Sequence, residues 1–192
     1  MDKPDRPDQP DRDRGSDTGS DSGSPRSVGI GDVDRSIPTS LNQLYQEVIL
    51  DHYRRPRNKS ALEDATHSIT LNNPMCGDVI ELMLKVEKDR IIDAHYMGKG
   101  CSISQASVSM LTDQVKGKTL AEAQELAGRF TTMLHGDEEL ARDKELGNLR
   151  ALAGVSKFPV RIKCALLGWD CLESLIGEND RTNSQSQKRA QI

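Results

Sequence analysis

The sequence predicts an α+β domain: a small antiparallel β-meander of about three strands with helices packed on one face. Three observations predict it. First, Ile69 and Leu71 alternate with Ser68 and Thr70, and Ile80, Leu82, Leu84 and Val86 alternate with Glu81, Met83, Lys85 and Glu87. A period of two with one polar face is the signature of half-buried antiparallel strands. Second, the chain beyond residue 101 follows helical spacing with capping and stop signals at its joints. Third, the strands come before the helices instead of alternating with them, which points to a segregated arrangement of the two.

The elements follow in order. Residues 1–37 read as a disordered polar tail: between Asp2 and Ser27 there is no Val, Ile, Leu, Met, Phe, Trp or Tyr, too little apolar surface to offset chain entropy. The folded domain is expected over 38–177. Ser40-x-x-Gln43 fits a capping box, and Leu41, Leu44, Tyr45, Val48, Ile49, His52 and Tyr53 form a helical stripe that Pro56 ends. After the first two strands, Glu87-Lys88-Asp89-Arg90 is the expected turn, and Ile92, Ala94 and Tyr96 the expected inner face of the third. Ser102-x-x-Gln105 and Thr119-x-x-Glu122 both read as capping boxes. The first opens a helix rich in small residues to about Val115, and the second a helix stopped by Gly136. Asp137–Gly147 reads as a charged connection and Asn148–Ala153 as a short helix. The last helix starts at Pro159, a favoured first-turn position, and is expected to end near Leu175, leaving 178–192 as a flexible tail.

Composition narrows the function. The net charge of −4 gives no basic nucleic-acid footprint. Apolar runs fall far short of a membrane span, and the N-terminus lacks a signal-peptide apolar region. These features predict a cytoplasmic protein whose partners are neither nucleic acid nor membrane. In a reducing compartment, its four cysteines are expected to be free, metal-bound or reactive rather than paired.

Three of those cysteines sit at turns or element edges. Cys76 lies in Asn73-Pro74-Met75-Cys76-Gly77-Asp78, where Gly77 lets the backbone fold so that Cys76 and Asp78 can point to one spot. A lone Cys-x-Asp also fits a loop cysteine beside a turn aspartate. Cys101 stands between a Gly-rich turn and a helix, where unpaired amides and the helix dipole favour a thiolate; a buried structural thiol is the plainer alternative. Cys164 lies early in the last helix, with Arg161 on the same face and Lys163 adjacent. Two cations there would offset a thiolate-rich site, though both also suit a solvated helix face. Thiolates and a carboxylate so placed can hold a soft or borderline metal, accept sulfur, or both. Cys171 follows Cys164 by two turns, about 10 Å along the axis, and reads as a core thiol. None of the four histidines adjoins a cysteine, and none is read as a ligand.

Four segments together resemble the IscU/NifU-N superfamily of iron–sulfur assembly proteins. They are Leu50-Asp51-His52-Tyr53-x-x-Pro56-Arg57-Asn58, Asn72-Asn73-Pro74-x-Cys76-Gly77-Asp78, Gly100-Cys101-Ser102-Ile103-Ser104-x-Ala106-Ser107 and Val155-Ser156-Lys157-Phe158-Pro159-x-Arg161-Ile162-Lys163-Cys164. The resemblance covers about residues 40–176 and is greatest to the SufU type. IscU-type members carry a histidine directly before the third cysteine, where this chain has Lys163. SufU-type members have a longer stretch between the second and third cysteines, which Asp137–Gly147 matches.

The resemblance implies an IscU-like (SufE/NifU-like) fold and zinc held by Cys76, Asp78, Cys101 and Cys164. It implies persulfide sulfur accepted on Cys76 from a PLP-dependent cysteine desulfurase of the SufS type, and sulfur passed on to a downstream iron–sulfur scaffold. Arg161 corresponds to a family arginine beside the site and would assist transfer. Two other readings stay open at this point: a scaffold on which an Fe–S cluster forms on the same ligands, and a binding module with a purely structural zinc.

Overall fold

A computed structural model describes residues 39–189, with side chains described over 43–177. The tail read over 1–37 and the side-chain cap read at Ser40 lie outside these residues. Helix α1 (Thr39–Arg54) precedes three strands, β1 (His67–Asn73), β2 (Asp78–Glu87) and β3 (Arg90–Lys99). Then come α2 (Ser102–Val115), α3 (Leu120–Leu134), α4 (Glu138–Arg142), a 3₁₀ segment (Lys144–Lys157) and α5 (Pro159–Arg189).

The strands form one antiparallel sheet in the order β1-β2-β3. Ile69 stands opposite Leu82, and Leu82 opposite Tyr96. Lys88 and Asp89 turn the β2–β3 hairpin with φ of 48° and 59°, the left-handed pair that a two-residue connection needs to match strand twist. Ile80, Leu82, Leu84, Ala94 and Tyr96 are all buried. Helix α5 packs on β1 and β2, α2 on β3, and α1 on α2. The α+β meander with helices is thus the observed architecture.

Three details differ from the sequence reading. Ile92 is 44% exposed, and Ile91 takes the inner position instead. The pairing shifts between Lys85 and Val86, so that Val86 meets Ile91 while Lys85 meets Asp93. Ile92 is the extra residue of a bulge, and a bulge resets the in–out alternation. The charged connection after α3 is not open loop. Asp137 caps α4, and Arg129 of α3 binds Asp143 and, at 2.9 Å, Glu145. The following 3₁₀ segment, kinked at Gly147, buries Leu146, Leu149 and Leu152. Last, α5 does not end near Leu175 but runs through Gly177 to Arg189. Gly177 is outside the left-handed region that would have made it a stop.

Helix α2 is the centre of the helical layer, buried from Ile103 through Thr112. Trp169 of α5 is fully buried and stacks on Phe130 of α3, ring centroids 4.6 Å apart. Its indole N–H donates to Ser107 Oγ (3.1 Å), and Ser107 in turn donates to the Ala165 carbonyl (2.6 Å). The largest core side chain is thus tied to α2 by a hydrogen bond and to α3 by ring stacking. Among the described residues, no helix is long and apolar enough to cross a membrane.

Candidate metal centre

The turn between β1 and β2 is built by Asn73. Its Oδ1 accepts the Met75 N–H (3.1 Å), and its carbonyl accepts the N–H groups of Cys76 (3.3 Å) and Gly77 (2.8 Å). An Asx turn of this kind follows from an Asn two residues before an acceptor-poor loop amide. Gly77 completes it at φ 72°, where a Cβ would be strained. The result leaves Cys76 exposed at the turn and returns Asp78 to the start of β2, only 3% exposed and opposite Asn73.

Cys101 is itself the N-cap of α2. Its Sγ accepts the Ser104 N–H at 3.4 Å. No capping box forms at Ser102 and Gln105; the N-cap sits one residue earlier, with sulfur in the place of a hydroxyl. The Cys101 N–H donates to Asp78 Oδ1 at 3.1 Å, which joins the two segments 23 residues apart. Cys164, in the second turn of α5, is buried. Its Sγ lies 3.4 Å from Cys76 Sγ, 3.7 Å from the Val160 carbonyl and 3.9 Å from Asn73 Nδ2.

One ligand atom each of Cys76, Asp78 and Cys164 fall within 4.8 Å of one another. Cys101 is not part of that tightest group. It adjoins the group through its hydrogen bond to Asp78, and its charge contributes to the pKa shift at Cys164. Burial pushes the Cys164 thiol well above the usual range, with the hydrogen bond to Cys76 and the charges of Cys101, Cys76 and Asp78 adding to it. Asp78 Oδ2 is buried with no hydrogen-bond partner.

These features fit a divalent metal. A buried carboxylate oxygen without a partner is costly unless a cation or donor completes it. Two sulfurs bound to one tetrahedral zinc at about 2.3 Å lie roughly 3.8 Å apart, close to the spacing between Cys76 and Cys164. Sulfur with one carboxylate oxygen is a donor set for zinc or iron rather than magnesium or calcium.

The comparisons with known proteins point the same way. Residues 44–176 match the family described as NifU-like N terminal domain. The chain belongs to that family. It is 45% identical over 148 residues to the zinc-dependent sulfurtransferase SufU of Bacillus subtilis (strain 168), covering 77% of this chain and 99% of the relative. It is 49% identical over 138 residues to the iron–sulfur cluster assembly scaffold protein IscU of Streptococcus pyogenes serotype M1, covering 72% and 86%. Among solved structures, a proposed iron–sulfur cluster assembly scaffold protein for the SUF system from Fervidobacterium islandicum AW-1 superposes with a TM-score of 0.63 at 33% identity. It covers 70% of this chain and 98% of that one.

Around Cys76, Cys101 and Cys164, other side chains divide into near and remote. Arg161 and Lys163 are exposed. Among the described residues, neither side chain makes a hydrogen bond or ion pair. Cys171 is fully buried beside the Ile80 carbonyl (3.8 Å), its thiol pushed up to about 12 by burial, and it is not part of the cluster. His52 is buried and bonds Ser109 Oγ (2.9 Å), His95 bonds Ser60 (2.9 Å), and neither joins the cysteines. The sequence reading missed the part played by Asn73. The Asn-Pro pair before Cys76 was the signal for it.

Proposed function

We propose that this protein serves iron–sulfur cluster assembly as a zinc-dependent sulfurtransferase. Cys76 is its sulfur-accepting thiol, and a PLP-dependent cysteine desulfurase of the SufS type is its donor. One observation carries the reading. Of the three residues gathered within 4.8 Å, Asp78 and Cys164 are buried while Cys76 is exposed. The arrangement separates residues that hold from a residue that can leave.

Zinc bound by Cys76, Asp78, Cys101 and Cys164 would keep the thiolates deprotonated and shielded from oxidation. The turn at Gly77 presents Cys76 at the surface, where a partner's persulfide can approach. In transfer, the Cys76 thiolate attacks the outer sulfur of the desulfurase persulfide. A bond forms between Cys76 Sγ and that sulfur, and the bond to the desulfurase cysteine breaks. The desulfurase cysteine leaves as a thiolate, with no net oxidation. Arg161, exposed and without a partner among the described residues, lies on the Cys164 face of α5, placed to attract the anionic persulfide. The sulfur then passes to a downstream scaffold.

Lys163 favours this reading over a cluster scaffold. A lysine beside Cys164 supplies charge but no ligand at neutral pH, where a histidine would supply a ligand. The test is desulfurase turnover, read as alanine released from cysteine, together with metal content and intact mass. The wild type should stimulate turnover, carry zinc and gain one sulfur on Cys76, and Cys76→Ala should do neither sulfur step. Full stimulation by Cys76→Ala would sink the proposal. So would a wild type that holds a cluster transferable to an apo-acceptor but never carries a persulfide.

A further inference from the structure

We propose that Gly100 is a positioning residue of the metal centre, acting through Asp78. This rests on the reading of Cys76, Asp78, Cys101 and Cys164 as ligands. The backbone at Gly100 is outside the left-handed region, so its conformation is one that alanine adopts freely. What it lacks is room. A Cβ there would stand 2.8 Å from Asp78 Cγ, 3.0 Å from Oδ1 and 3.1 Å from its Cβ. The Asp78 carboxyl is therefore packed directly against the backbone that leads into α2.

That contact fixes what the carboxyl can do. Oδ1 is taken by the Cys101 N–H at 3.1 Å. Oδ2 is buried and unpartnered. One oxygen is tied to the chain and one is left for an ion, so Asp78 is set to bind through a single oxygen before any metal arrives. The same bond orients the residue that caps α2 with its sulfur. In a standard capping box the side chain three residues into the helix would take the N-cap N–H. Here Ser104 holds that position, yet its Oγ is buried without a partner because Asp78 has the amide. Gly100 is the residue that lets the carboxylate displace the local cap.

A side chain at 100 must push Asp78 off the Cys101 amide while leaving three sulfurs in place. The experiment compares full-length wild type, Gly100→Ala, Asp78→Ala and the double variant. The readouts are zinc affinity by competition with a chromophoric chelator and the thiolate-to-metal absorption of the cobalt(II)-substituted proteins. Gly100→Ala should weaken zinc by about 10–100-fold, the range for residues that orient a ligand, with sulfur-to-cobalt intensity retained. On the Asp78→Ala background the same change should cost nothing further, since the carboxyl it strikes is gone. Should Gly100→Ala fail to fold, the double variant should fold, because the contacts with Cγ (2.8 Å) and Oδ1 (3.0 Å) are gone and only the 3.1 Å approach to the residue 78 Cβ remains. Wild-type affinity in Gly100→Ala, an equal loss on both backgrounds, or a double variant that also fails to fold overturns the inference alone. A wild type that binds no zinc overturns the ligand assignment and this inference with it.

Discussion

Two helix starts read alike in the sequence and are built differently. At α3, Thr119 and Glu122 close a capping box between themselves: Thr119 Oγ1 accepts the Glu122 N–H (3.2 Å), and Glu122 accepts the Thr119 N–H (2.7 Å). At α2 the cap is a sulfur, and the reciprocal acceptor comes from Asp78, 23 residues back. The α3 box closes its cap within four residues, and what reaches that start from outside is backbone: the Leu120 N–H donates to the Asp89 carbonyl (2.9 Å). The α2 start depends on the carboxylate of the candidate metal centre, so helix geometry and ligand geometry are one arrangement there. A cap that borrows its partner from a site couples that site to the fold.

The sharpest way to break this comparison is Cys101→Ser. Serine is a better cap than cysteine, so the metal-free domain should keep or gain stability in denaturant titration. Zinc affinity should nonetheless fall by more than about 100-fold, beyond the loss from altering a residue that only orients a ligand. If affinity is unchanged, Cys101 is a cap and nothing more.

Thr119→Ala is the mirror experiment. It removes one half of the closed box and leaves the Glu122 N–H unpaired. The expected cost is about 1 kcal/mol of stability, read by chemical denaturation, with zinc affinity unaltered. A change in affinity would mean that the two helix starts are coupled through the α2–α3 connection.

The smallest effect is expected farther along α2, where Ser109 Oγ accepts the Arg57 N–H (2.9 Å) and bonds His52 Nδ1. His52 has its pKa lowered, chiefly by burial and then by Arg57, while Asp113 and Asp51 oppose the shift. Above the ordinary histidine pKa of 6.5 the ring is neutral folded and unfolded, and no penalty arises. As pH falls through 6.5, the unfolded chain takes up a proton that the folded ring resists, so stability declines until the lower folded pKa is passed. Stability measured at pH 7.5 and about pH 5.5 should show that decline in the wild type and a smaller one in His52→Gln. Equal slopes would remove His52 as the cause.

Periodicity made most of the fold legible. Alternation placed β1 and β2, and Thr119, Gly136 and Pro159 marked their helix boundaries as expected. What stayed hidden were single-residue matters set by tertiary contacts. The bulge at Ile92 arises from pairing between two strands, and no single strand carries its signal. The α2 cap was displaced by one residue because cap preferences favour Ser and Asp and do not count sulfur. For the site, turns and helix starts marked Cys76, Asp78, Cys101 and Cys164 as candidates, and helix spacing set Cys171 apart. Gly100 was quoted only as part of a motif. A glycine kept for space is silent in sequence until the atoms its side chain would strike are known.

Trp169 has one further consequence. It is the only tryptophan in the chain, and the hydroxyl that receives its N–H also holds the carbonyl of Ala165, the residue after Cys164. The protein therefore carries a built-in fluorophore two hydrogen bonds and one residue away from Cys164. A shift in its emission on loading or stripping the centre would show the helix under Cys164 moving, in real time and without a label.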